Sequence, residues 1–317
     1  MTKFLGRMIK MEVKKNIKGE LMLILTAVIW GTSFVSQKLG MNYVEPFTFG
    51  ASRFLLGALV LIPVILIFDR SNNKGSVKSD DAAYSRKDLI TGGILCGSAL
   101  FLGASFQQIG IVYTTAGKAG FITALYIVLV PLFGLFMKKK ISRLVWFGVA
   151  LATGGLYLLC IKDGFTIQVG DAIVMAGTIF WALQILIVDA YNDKTQGLKL
   201  SCAQFITAGI LSAAAALIFE SPSLTTIIEC AGPILYTAVM VVGVAYTLQI
   251  IGQKTTDPNI AAIILSMESL FAVISGAVFL KETMTIKEIA GCVLMFAAVI
   301  MTQVKGSEKS DKSVIDY

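Results

Sequence analysis

The chain has 317 residues, of which 56% are hydrophobic and only 15% charged, a balance that excludes an ordinary soluble domain. Its formal charge of +7 does not indicate nucleic acid, because the bases lie on short segments between long apolar runs, where anionic lipid and membrane orientation account for them. There is no histidine, and the five cysteines stand singly, so no zinc, haem or other cofactor site is expected.

The apolar runs are continuous and do not alternate in twos, which reads as helices rather than barrel strands. The chain is therefore expected to be an all-α integral membrane protein, each span needing roughly 20 residues to cross the bilayer. Residues 1–18 carry Lys3, Arg7, Lys10, Lys14, Lys15 and Lys18 among Phe4, Leu5, Met8, Ile9, Met11 and Val13. This pattern predicts a short basic helix on the cytoplasmic face. The run that follows is too long for the core of a cleavable signal and is expected to remain as the first span.

Ten spans are predicted in all: 20–39, 47–68, 89–112, 116–137 and 145–161, then 172–190, 202–219, 232–251, 259–279 and 288–304. Pro46 and Pro258 sit at predicted helix starts, where a missing N–H costs nothing. The stretch Asp69 to Asp88 is polar and rich in Ser, Asn and Lys, predicting a flexible loop. With both termini cytoplasmic, residues 305–317 form a tail inside the cell and most Lys and Arg, including Lys138-Lys139-Lys140, fall on inner segments. The outer loops then carry Lys118, Lys162, Lys281 and Lys287. Cys160 and Cys230 share that outer side, where a disulfide is one option.

The two sets of five spans echo each other. Gly19-Glu20 and Trp30 recur as Gly170-Asp171 and Trp181, an offset of 151 that also sets Arg53-Phe54 opposite Gln204-Phe205. Later the offset is 141, and Ala104, Gln108, Ile109 and Thr114-Thr115 match Ala245, Gln249, Ile250 and Thr255-Thr256. Because five is odd, the second copy enters the membrane from the opposite side. The expected architecture is thus two inverted-topology five-helix repeats, residues 19–161 and 170–304.

Trp30-Gly31 in the first span, Pro46 followed by Arg53 in the second, and the closing segment Met267-Glu268-Ser269 through Leu280-Lys281-Glu282 to Gly291 resemble the drug/metabolite transporter superfamily, EamA type. The resemblance covers nearly the whole chain. It implies a carrier in the bacterial inner membrane, commonly an exporter of amino acids or other small metabolites, with a central cavity between the halves. The sequence departs from that pattern in having Glu268-Ser269 where members often carry Glu-Pro, and a basic Met137–Lys140 in place of a Gly-Glu turn.

Glu268 falls at mid-span, where a carboxylate must be protonated or paired. Two readings stand: a proton-coupling or substrate-amine site, or an interhelical hydrogen bond. Arg53 is either a receptor for a substrate carboxylate or an outer-leaflet anchor. Trp30 and Trp181, away from the interfaces where tryptophan gathers, are either an aromatic wall or bundle packing. Gln37, Gln107, Gln108, Thr123, Tyr126, Gln184, Tyr246, Gln249 and Ser266 supply further hydrogen-bonding groups, either to the candidate cavity or to helix–helix contacts.

These residues favour a secondary carrier for a small molecule, since no nucleotide-binding motif is present to supply ATP energy. Glu268 is the mid-membrane acid available for proton coupling. Amino acids are the substrates the resemblance implies, while sugar phosphates would demand more Lys and Arg in the spans. An intramembrane enzyme acting on lipid, or a structural or sensory membrane protein, remains the alternative.

Overall fold

A bilayer offers no water to an open backbone, so a chain this apolar closes its hydrogen bonds within helices. The structure, a computed structural model, describes residues 2–74, 84–114, 116–137, 141–160, 168–280, 286–287, 289–291, 293–298 and 301, and among them there is no strand. The basic cluster Lys138–Lys140, Lys162, Lys281-Glu282, Cys292, Thr115 and the tail 305–317 lie outside the described residues, as do the side chains of residues 2–16.

The helices are α1 (Thr2–Gly40), α2 (Pro46–Lys74), α3 (Arg86–Tyr113), α4 (Ala116–Ala124), α5 (Tyr126–Phe136) and α6 (Arg143–Cys160). They continue with α7 (Val169–Asn192), α8 (Gly197–Phe219), α9 (Leu224–Glu229) and α10 (Ala231–Tyr236). A π-helix, Thr237–Ala245, leads into α11 (Tyr246–Gln253), and α12 (Pro258–Leu265) and α13 (Glu268–Leu280) follow. Eight helical stretches among the described residues are long and apolar enough to cross a membrane, so the protein is a multi-pass membrane protein. The predicted fifth span corresponds to α6, and the predicted tenth to a shorter apolar helix, Ile289–Ala298.

Several expectations change. The basic segment is helical, yet it runs without a break into the first span as one 39-residue helix. The predicted loop from Asp69 is helical as far as Lys74, and α3 starts at Arg86 behind Ser85, whose hydroxyl accepts from the Asp88 N–H. The fourth and ninth predicted spans are each broken near the middle, at Leu125 and at Ser266-Met267. Pro63 and Pro131, by contrast, lie inside helices that continue. Cys230 is a free thiol whose sulfur lies 3.7 Å from the Gly40 carbonyl, and the side chain of Cys160 lies outside the described residues.

Close helix crossings hold the two stretches of the chain together. A Cβ on Gly19 would lie 2.8 Å from the Gly252 carbonyl and one on Gly170 2.7 Å from the Gly110 carbonyl, closer than any larger residue allows. These contacts press α1 on α11 and α7 on α3. Helices α2 and α8 also lie side by side. At one end of that pair, Glu220 accepts hydrogen bonds of 2.7 Å from the Phe47 and Thr48 N–H groups and from the Thr48 hydroxyl, capping α2 from the end of α8. At the other end, Lys199 at the start of α8 pairs with Asp69 at 3.2 Å. Lys38, at the close of α1, and Asn192, at the close of α7, mark the two ends of the molecule.

Candidate functional site

The broken helices and the crossings leave a small cavity inside the bundle. Helix α1 gives it Trp30, Ser33, Phe34 and Gln37, a helical i, i+3, i+4, i+7 face. Arg53 enters from α2 and Gln107 from α3, while Thr123 and Tyr126 flank the break between α4 and α5. Trp181 of α7, Val241 of the π-helix, Tyr246 of α11 and Glu268, the first residue of α13, close the opposite side. The π-helix is a wide-turn segment of a kind found at functional sites, and it brings Tyr246 to the cavity.

The aromatic residues form one tier. The Trp30 and Trp181 ring centroids are 6.4 Å apart, Tyr246 lies 4.8 Å from Trp30, and it stacks on Trp181 at 6.3 Å with an interplanar angle of 14°. Both tryptophans are buried inside the bundle rather than turned to lipid.

Beside that tier, toward the Lys38 end, the polar groups form a partial network. Arg53 Nη1 donates to Gln37 Oε1 at 3.1 Å, and Gln37 Nε2 donates to the Ser33 hydroxyl at 3.0 Å. Gln108 Nε2 donates to the Gln37 carbonyl at 3.2 Å, and Gln107 Nε2 to the Thr123 hydroxyl at 3.0 Å. The guanidinium lies 4.8 Å from the Phe54 ring centroid and 5.3 Å from that of Phe49. The ion pair recorded among the described residues joins Lys199 and Asp69, leaving Arg53 and Glu268, 4% and 3% exposed, as buried ionisable groups without an opposite charge bonded to them.

Three donors on the lining side chains make no hydrogen bond: Arg53 Nε, Trp30 Nε1 and Trp181 Nε1. The Tyr126 hydroxyl and the Glu268 carboxylate face each other. Orphaned groups at this depth are expensive, and a ligand presenting an acceptor at one end and a donor at the other would satisfy both the donors and the carboxylate. The space itself is about 20 Å³, room for roughly one water molecule and far short of the roughly 300–1,000 Å³ of a small-molecule pocket. The conformation is therefore closed around its polar centre. Among the described residues no three His, Cys, Asp or Glu side chains gather as metal ligands would.

Of the residues singled out in the sequence, Trp30, Gln37, Arg53, Gln107, Thr123, Tyr126, Trp181, Tyr246 and Glu268 line this cavity together. Gln108 stands behind it, bonded to the Gln37 backbone. Ser266 lies in the break before α13 with its hydroxyl donated to the Ile263 carbonyl at 2.7 Å. Gln184 and Gln249 bond to each other one helical turn beyond Trp181 and Tyr246, toward the Asn192 end. Ser33 and Phe34 were within reach of sequence reasoning, since they share the helical face of Trp30 and Gln37. Val241 carries no such signal, because its place depends on the π-helix.

Comparison with known proteins gives the same frame. The model of the EamA-like transporter family matches the chain twice, over residues 17–161 and 168–304. An uncharacterized transporter of Archaeoglobus fulgidus is 33% identical over 303 residues, covering 93% of this chain and 88% of its own. The uncharacterized transporter YetK of Bacillus subtilis is 23% identical over 305 residues, with coverage of 92% and 89%. A solved crystal structure superposes with a TM-score of 0.73 at 17% identity, spanning 90% of this chain and 96% of that one, a likeness of fold alone. A multi-pass helical chain that the family model matches in two successive segments, and that meets a relative at this identity along nearly its whole length, belongs to the EamA-like transporter family.

Proposed function

We propose that the protein is a secondary transporter that moves a small zwitterionic metabolite, an amino acid or a close chemical relative, out of the cell by alternating access. Its frame is ten spans in two five-helix repeats of inverted topology, 19–161 and 170–304, with residues 1–18, the tail 305–317 and both termini cytoplasmic. The paired glycine crossings, the two successive family matches and the two mid-span breaks, at Leu125 and at Ser266-Met267, support that frame. Discontinuous helices facing a central cavity are the arrangement by which such repeats hold solutes.

The observation that carries the reading is the cavity's unmet hydrogen-bonding demand. Arg53 Nε and the two indole N–H groups await an acceptor, and the Glu268 carboxylate, which faces the Tyr126 hydroxyl, has no cation paired with it among the described residues. A carboxylate held by Arg53 and an ammonium held by Glu268 satisfy both through charge-assisted bonds. The aromatic tier then borders the solute's side chain. One carboxylate serving both ammonium and proton also gives a coupling rule: protonated Glu268 releases the solute, and deprotonated Glu268 accepts it.

The test is flux into and out of proteoliposomes across a panel of amino acids, with and without a pH gradient. Glu268→Gln, which mimics the protonated acid, is expected to abolish accumulation driven by the gradient, to slow solute exchange and to flatten the dependence of flux on pH. Unchanged accumulation would remove Glu268 from coupling. If no solute moved and none raised the melting temperature of the purified protein, the carrier reading would fall.

A further inference from the structure

Beyond the aromatic tier, on the side away from Arg53, the interface of α7, α8 and α11 carries a run of polar side chains that the cavity does not use. Gln184 and Asn192 come from α7, Ser201 and Gln204 from α8, and Gln249 and Gln253 from α11. All six are at most 3% exposed. Gln249 Nε2 donates to Gln184 Oε1 at 3.0 Å, and Gln184 Nε2 reaches Gln204 Oε1 at 3.3 Å. Farther along, Gln253 Nε2 donates to the Ile185 carbonyl at 3.2 Å and Asn192 Nδ2 to the Ile250 carbonyl at 2.7 Å. The run therefore continues from mid-bundle to the Asn192 end.

Ordinary interhelical glue satisfies its own hydrogen bonds, since satisfying them is what draws the helices together. This run does so only in part. Gln204 Nε2, the Ser201 hydroxyl, Asn192 Oδ1 and Gln253 Oε1 are all buried without a partner. Four orphaned groups along a single three-helix seam are a poor design for a permanently dry interface and a serviceable one for a path that is wetted in another conformation.

Its position fits that role. Trp181 and Gln184 are one turn apart on α7, and Tyr246 and Gln249 one turn apart on α11. The stacked Trp181–Tyr246 pair, with Phe205 5.8 Å from Tyr246, thus lies between the cavity and the seam. The seam also occupies the sequence positions of the Arg53 network: Gln204 answers Arg53 and Gln184 answers Ser33 at the offset of 151, and Gln249 answers Gln108 at 141.

We infer that the seam through Gln184, Gln204, Gln249, Ser201, Gln253 and Asn192 is a second polar leg of the solute path, closed here by the Trp181–Tyr246 pair and opened when that pair separates. This inference rests on the transporter reading. The seam is lined by carboxamides and a hydroxyl with no ionisable side chain among the six, so it passes a polar zwitterion by hydrogen bonding. The charged contacts stay at Arg53 and Glu268.

Accessibility tests it. The variant Ser201→Cys, in lipid vesicles, is exposed to a small membrane-impermeant thiol reagent from each side in turn, and modification is read residue by residue by mass spectrometry. Native Cys96 is the internal control, because it is buried in an apolar cluster with Val188 and Leu200 at the same end of the bundle. Ser201→Cys is expected to react at least about tenfold faster than Cys96 from the Asn192 side, as for a path open in a minor state populated at around a few per cent. Equal, slow modification of the two thiols would overturn the inference.

Gln204→Leu gives a second measure in the same vesicles. A path requires that it slow solute flux by about tenfold. A rise in melting temperature with flux unchanged would instead make the seam static packing with a misfitted group. The two readings fail separately: rapid labelling of Ser201→Cys with no solute flux by the wild-type protein leaves the wetted seam and removes the carrier, whereas flux without labelling does the reverse.

Discussion

The Arg53 network and the Gln184–Gln204–Gln249 cluster occupy matching positions in the two halves of the chain, and they differ in charge and in exposure to the cavity. Arg53 and Gln37 line the cavity, and their cluster includes a guanidinium with an unused N–H. The glutamine cluster is neutral, sits behind Trp181 and Tyr246, and bonds mainly to itself. A cation can be kept beside a polar cavity far more cheaply than in a sealed interface, where an unpaired charge costs several kcal/mol. The charged member thus lies against the cavity, and the neutral member behind the Trp181–Tyr246 pair.

The largest effect is expected from removing what separates the two regions. Trp181→Ala deletes a buried indole that packs on Trp30 and Tyr246, and should cost about 3–5 kcal/mol of stability. Thermal unfolding of the purified protein measures it. A loss below about 1 kcal/mol would mean that the tier is loosely packed and not a partition. A smaller effect follows from making the first region resemble the second. Arg53→Gln leaves a carboxamide opposite Gln37 and should weaken solute binding by about 1.5–3 kcal/mol, seen as a roughly ten- to hundredfold rise in KM with the fold intact. An unchanged KM would return Arg53 to the role of a helix lock against Phe49 and Phe54.

The smallest difference is expected at the two ends of the α2–α8 pair. Glu220 makes three short hydrogen bonds to the start of α2, so Glu220→Ala should lower stability by about 1–2 kcal/mol. The Lys199–Asp69 pair is about one-third exposed, and Lys199→Ala should cost no more than about 1 kcal/mol, falling further in high salt. Equal losses would show that the Lys38 end is held no more firmly than the Asn192 end. A larger loss at Lys199 would reverse the comparison.

Much of this was legible in the residues. Long runs such as Glu20–Leu39 and Asp171–Asp189 announce spans because a bilayer demands apolar length and internally closed hydrogen bonds. The recurrence of Trp30 at Trp181 pointed to residues whose rings meet in the structure, and Arg53, Tyr126 and Glu268 drew attention because ionisable and polar groups are costly in a span. Gln107 and Gln108 show where that reasoning ends. They are neighbours in sequence and both are buried in α3, yet only Gln107 reaches the cavity.

The sequence by itself therefore determined the class of protein, the positions of most helices, the doubling of the pattern and the expensive residues. Tertiary structure alone decided the interruptions at Leu125 and Ser266-Met267, the π-helix before Tyr246, and which glutamines face the cavity and which face each other. The physical reason lies in the solvent. In water an amphipathic stripe tells the buried face of a helix from the exposed one, but in lipid both faces are apolar. The orientation of each helix is then set by close contacts such as Gly19 on Gly252 and Gly170 on Gly110, which no single segment encodes.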